Sequence, residues 1–144
     1  LEEWWKLNTF LYWCRDCKVE IMDKEFLIFS KKYKYAGRVD FRGQVDGKYM
    51  IVDFKTSANI YDHYPLQVAA YAQAYKETYP TLGNIDSVAV LLLGSRSKKG
   101  YRFDVYDNWQ DYFKAFLSVK KVFDYQLGPD YEPPVLDLPA ELKL

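Results

Sequence analysis

Histidine is almost missing from this chain and cysteine is scarce: His63 stands alone, with only Cys14 and Cys17 beside it in 144 residues. That scarcity excludes a self-contained zinc or iron–sulfur centre, because two thiols do not complete a four-ligand site. Cys14-x-x-Cys17 also lacks the strand-then-helix setting of a redox pair, so it reads as two thiols near the end of an amphipathic helix. Net charge is absent too, 20 basic residues balancing 20 acidic ones. Any attraction to a polyanion must therefore come from a local basic face. No apolar run approaches the roughly 18 to 20 residues that span a bilayer, and no basic-then-apolar signal segment opens the chain. The expectation is a soluble, cytoplasmic protein without a membrane partner. The chain opens at Leu1 without methionine, in sequence that already reads as helix. This is taken as the start of an N-terminally truncated piece of a longer protein.

What is abundant is apolar surface: 49% of residues are hydrophobic and 19% aromatic. This suffices for one well-filled core and is too little for two, so residues 1–144 are read as a single domain. From Glu2 to about Cys17 the apolar residues do not alternate and no Gly or Pro intervenes, which predicts a helix. Three strand-like runs follow, Phe26 to Ser30, Tyr35 to Arg42 and Lys48 to Phe54, read as an antiparallel meander. After Asp62, an N-cap type, Tyr64, Val68, Tyr71, Ala72, Tyr75 and Tyr79 mark a buried helix face that ends at Pro80 and Gly83. Ser87 to Leu93 reads as a strand covered on both faces, with Tyr101 to Tyr106 pairing beside it. Asp107 opens a last helix whose stripe of Trp109, Tyr112, Phe113, Phe116, Val119 and Phe123 is assigned to the core. Gly128, Pro129, Pro133 and Pro134 end it and leave an extended tail. The fold class is α/β, a mixed sheet flanked by helices.

Val45-Asp46-Gly47-Lys48 holds the pair preferred in two-residue type I′ hairpins. With Val45 facing Lys48, every cross-strand pair sums to 93 and Asp40 comes to lie opposite Asp53. Val39 against Phe54 and Phe41 against Val52 then share the other face. Two facing carboxylates destabilise a sheet, and Asp53 sits inside the apolar run Met50-Ile51-Val52-Asp53-Phe54. Mg²⁺ or Mn²⁺ would give that arrangement a reason, taking the carboxylates of Asp40 and Asp53, the backbone carbonyl of Phe54 and waters. Lys55, two residues on, points to the same face. The alternative is that Lys55 merely offsets the acids as a surface salt bridge.

Ala36-Gly37-Arg38-Val39-Asp40, then Ile51-Val52-Asp53-Phe54-Lys55-Thr56-Ser57, then Gln67-x-x-x-Tyr71 resemble the motifs of the RecB-like branch of the PD-(D/E)XK nucleases. That branch includes exonuclease domains of recombination helicases and nucleases of CRISPR adaptation. The resemblance spans roughly Glu25 to Tyr79. It implies a restriction-endonuclease-like core, a Mg²⁺-dependent deoxyribonuclease, and a role in DNA repair or recombination beside other domains or recombination and replication proteins. Asp40 and Asp53 match the family's metal-binding acids, and Lys55 matches the lysine that positions or polarises the attacking water. Gln67 and Tyr71 match its Q-x-x-x-Y at the edge of the site. Glu25 lies where many members carry a further acid that reaches the metal. Many members also place a histidine or acid on an upstream helix; here no histidine precedes Asp40.

Phosphodiester hydrolysis would need phosphate contacts, for which Lys31, Lys32, Lys34 and Arg38 beside the motif strand and Arg96, Lys98, Lys99 and Arg102 further on are the candidates. Such contacts bind single- or double-stranded DNA without reading sequence, as an exonuclease or structure-selective nuclease requires. A second reading is a catalytically inactive nuclease-fold module that binds DNA or a partner protein.

Overall fold

At Asp46 and Gly47 the backbone turns with φ of 50° and 81°, both in the left-handed region that a type I′ hairpin requires and that Asp-Gly tolerates. The turn joins β2 (Tyr35–Val45) to β3 (Lys48–Lys55), paired from Val45↔Lys48 to Phe41↔Val52 in the expected register. The computed structural model describes residues 1–132. The remaining elements are α1 (Glu2–Asp16), β1 (Glu20–Ser30), α2 (His63–Thr78), β4 (Ser87–Leu93), β5 (Tyr101–Tyr106) and α3 (Trp109–Leu127). The strands form one sheet in the order β1-β2-β3-β4-β5. Only β3 and β4 run parallel, because α2 is the crossover between them. The mixed α/β fold read from the sequence is the fold observed.

The sheet separates two cores. On one side α2 and α3 pack Val68, Tyr75, Trp109 and Phe113 against Ile28, Val39, Ile51 and Val90. On the other, Trp13 of α1 meets Phe41, Val52, Ala89 and Leu91. Alternate residues of β4 feed opposite cores, which is why its sequence is apolar throughout. Trp13 is fully buried, with the rings of Phe10, Phe41, Phe54 and Phe103 around it at 5.2 to 6.2 Å. Its truncation to Ala would cost about 3–5 kcal/mol. Cys14 and Cys17 are free and pack against this second core, where burial pushes both thiols up.

Several expectations need correction. β1 begins six residues earlier than Phe26, and its first half is largely exposed. Asp62 occupies the N-cap position of α2 without making a side-chain cap bond. Asp107 does not cap α3, whose N-cap is Asn108; its carboxylate instead accepts hydrogen bonds from Ser87 and Lys48 at 2.6 and 2.9 Å. The stripe on α3 is core only in its first half, Val119 and Phe123 being 58% and 55% exposed. Helical spacing tells which residues share a face but not how far the sheet extends beneath them. No helix among the described residues is long and apolar enough to cross a membrane. The tail expected after Gly128 lies mostly outside the described residues.

Candidate active site

Strand alternation sends Ile51, Asp53 and Lys55 toward α2 and sends Val52 and Phe54 toward α1. Ile51 lies in the α2-side core, while Val52 and Phe54 join the α1 side. Asp53 is thus carried into the interior by its neighbours' packing, at 5% exposure.

Asp40 arrives differently from the expected register. The β2–β3 ladder stops at Phe41↔Val52, so Asp40 and Asp53 are not a ladder pair. Val39 lies in the α2-side core and Phe41 in the α1-side core, so β2 reverses its facing at Asp40. Val39 and Phe54 consequently occupy opposite faces instead of sharing one. With the ladder broken, the Phe54 N–H lacks a β2 carbonyl partner, and the Asp40 carboxylate accepts it instead at 2.9 Å. Asp40 still lies close enough to Asp53 to disfavour its charge.

The ammonium of Lys55 lies 2.7 Å from Asp53 Oδ2 and donates to Gln67 Oε1 at 2.9 Å. Gln67 in turn donates through Nε2 to the Tyr71 hydroxyl at 2.7 Å. The Lys55 ammonium is thus the close charge partner of Asp53 Oδ2. Burial pushes the Asp53 carboxyl above the ordinary range, more than the Lys55 ammonium pulls it down. Burial likewise pushes the Tyr71 hydroxyl up. Gly37 makes room for this chain: a β-carbon there would come within 2.6 Å of the Tyr71 ring.

The structure thus gathers Asp40, Asp53, Lys55, Gln67 and Tyr71. Glu25 is not among them. It is exposed, its φ is 48°, and among the described residues no three His, Cys, Asp or Glu side chains are grouped to hold an ion. Its left-handed backbone interrupts the β1–β2 ladder, which skips Glu25 between Lys24↔Phe41 and Phe26↔Val39.

Because β2 is antiparallel and β4 parallel to β3, the turn at 31–34 and the loop at 94–100 both lie at the end of the sheet where β3 finishes with Lys55. Lys31 and Lys32 stand over the rings of Phe29 and Tyr33 at 5.7 and 5.0 Å. Lys34 borders an apolar groove with Tyr35 and Phe116. Arg38, Arg96 and Lys98 are exposed. Arg102 is already held by Asp104 in a two-pronged pair, and Lys99 lies 3.9 Å from Asp16, so these two are partly neutralised. Reading the sequence missed Tyr64, which was assigned to the core stripe alone; its ring lies against the Lys55 ammonium.

No protein-family model matches the chain, and no curated protein matches it. Among solved structures it is similar to a candidate exonuclease from Eubacterium rectale, with 14% identity and a TM-score of 0.49 over 80% of this chain and 44% of that one. It is also similar to the protein SSO0001, with 12% identity and a TM-score of 0.44 over 82% of this chain and 56% of that one. The chain spans about half the length of each. Function is therefore read from Asp40, Asp53, Lys55 and their neighbours.

Proposed function

We propose that this chain is a metal-dependent nuclease of the PD-(D/E)XK type, RecB-like, that hydrolyses DNA phosphodiester bonds as an exonuclease or structure-selective nuclease. The observation that carries the reading is Asp53: a carboxylate buried in an apolar strand beside a second acid, with the single ammonium of Lys55 set against the two. Two neighbouring carboxylates against one ammonium leave excess negative charge in a buried place, which is costly unless a further cation completes it. The donor set fits a hard divalent ion: the free oxygens of Asp40 and Asp53, the carbonyl of Phe54 and water. Mg²⁺ or Mn²⁺ bound there would supply charge against the phosphate and a water of lowered pKa.

The chain's own residues supply the rest. Lys55, held by Gln67, presents an ammonium beside the acids, where it orients the attacking water and offsets charge growing on the phosphate. Tyr71 fixes the amide of Gln67 so that its oxygen faces Lys55. Lys31, Lys32 and Lys34 at the same end of the sheet would take backbone phosphates without reading bases.

One arrangement favours the second reading, a nuclease-fold module that binds DNA or a partner without cleaving. Asp40 is occupied by the Phe54 N–H and Asp53 by Lys55, so the charges are partly matched internally. End-labelled single- and double-stranded DNA incubated with Mg²⁺, Mn²⁺ or EDTA separates the two. Metal-dependent products that disappear in EDTA are expected; binding without products under every condition would establish the non-cleaving module.

A further inference from the structure

Lys55 has a third neighbour besides Asp53 and Gln67. Its ammonium lies 4.7 Å from the centre of the Tyr64 ring, within the range of a cation–π contact. Tyr64 is 8% exposed and the Lys55 side chain 22%, so the contact is partly shielded from water, which strengthens it. The ring is fixed on several sides. Its hydroxyl donates to Ser57 Oγ at 3.0 Å, and Ser57 donates to the Asn59 carbonyl at 2.8 Å. Tyr61 and His63 pack edge-on against it, with centroids 5.4 and 4.7 Å away. The same hydrogen bonds tie the segment after Lys55 to the first turn of α2.

We propose that Tyr64 is a positioning residue, whose ring face holds the Lys55 ammonium in line with the two acids. The inference rests on the nuclease reading above. Of the three contacts of Lys55, the one to Asp53 is the one for which a divalent cation at the acids would compete. Gln67 and Tyr64 are then the groups that keep the ammonium in place. A leucine removes the electron-rich face but also volume and the hydroxyl bond to Ser57, so ring-fluorinated phenylalanines of nearly constant shape are what separate packing from charge at this position.

The test places phenylalanine with zero, one, two or three ring fluorines at position 64, which weakens the ring face at nearly constant shape. Tyr64→Leu should lower kcat about tenfold with KM little changed. Unfluorinated Tyr64→Phe should rescue most of that loss, and added fluorines should remove the rescue stepwise at constant melting temperature. A flat series in an active enzyme overturns the role of Tyr64 and leaves the nuclease reading standing. An independent readout is the NMR shift of the Lys55 ε-methylene protons in EDTA, which should lie upfield in the parent and return to ordinary values in Tyr64→Leu. If the parent cleaves no DNA, the nuclease reading fails, and this shift alone decides whether Tyr64 holds Lys55. Ordinary shifts in the parent would overturn the contact.

Discussion

The Asp40 carboxylate accepts the backbone N–H of Phe54 at 2.9 Å, immediately beyond the last paired residues of β2 and β3. One oxygen of this acid thus closes the strand, while its charge acts on Asp53. The two duties separate by substitution. Asp40→Asn keeps an acceptor for the amide and should melt within about 0.5 kcal/mol of the parent in EDTA, yet lose metal-dependent cleavage. Asp40→Ala should lose cleavage and a further ~1–2 kcal/mol, because the part-buried Phe54 N–H is left without a partner. Denaturant unfolding of both variants, alongside the cleavage assay, tests this. An Asn variant as unstable as the Ala variant would show that geometry, not hydrogen bonding, is at stake.

Lys55→Ala should abolish cleavage while Mn²⁺ affinity, read by electron paramagnetic resonance, stays within a few-fold. The ammonium acts on water and phosphate, whereas oxygens hold the ion. Gln67→Ala should retain more activity than Asp53→Ala, since it removes one of the lysine's contacts and leaves the acids intact. A Gln67 variant as inactive as the Asp53 variant would give the amide a direct part in the chemistry.

Asp53 governs how stability depends on pH. Its folded pKa is raised above the unfolded value, first by burial, so between the two values the folded state holds a proton that the unfolded state has released. Stability without metal should therefore fall as pH climbs through that window and stay low above it. Asp53→Asn should flatten this slope and, at pH 7 to 8 in EDTA, be as stable as the parent or more so by up to ~1 kcal/mol. Saturating Mg²⁺ should raise the melting temperature of the parent and leave the variant nearly unchanged. A variant clearly less stable than the parent in EDTA would make Asp53 a structural partner of Lys55.

Gly37→Ala tests how the site is propped from behind. Its new methyl would force the Tyr71 ring aside, releasing the hydroxyl that fixes Gln67. Activity should fall several-fold, with stability lowered by ~1–3 kcal/mol, as for overpacking. Gly37→Ala combined with Tyr71→Leu should recover stability but not activity. Recovery of both would deny Tyr71 any part in orienting Gln67.

The Asp-Gly pair made the β2–β3 hairpin legible, because two left-handed residues in sequence leave few other turns. It fixed the pairing correctly as far as Phe41 and Val52. Beyond them period-two counting failed, since nothing in Arg38-Val39-Asp40-Phe41 marks where a strand reverses its facing. Asp40 and Asp53 were still paired by the counting because both approach the same end of β3. Glu25 entered through the family resemblance and not through counting, and its left-handed backbone could not be foreseen, because a non-glycine residue of that kind inside a strand has no signature in side-chain pattern. Tyr64 was legible as core and illegible as a neighbour of Lys55, because a helical stripe does not say which strand residue it will meet.

The left-handed turn of Glu25 has an effect on the outer margin of the molecule. β1 is an edge strand; Tyr79 and Thr78 take up the backbone of Leu27 and Phe29, while Ile21 and Met22 are exposed in its first half, where another chain could add by backbone pairing. A straight incoming strand would lose register at Glu25, and Glu20, Asp23, Lys24 and Glu25 crowd the same stretch with charge. Kinks and charges are what keep such edges from templating aggregation. The acid that does not join the candidate site thus puts a kink and a charge on the sheet's edge strand.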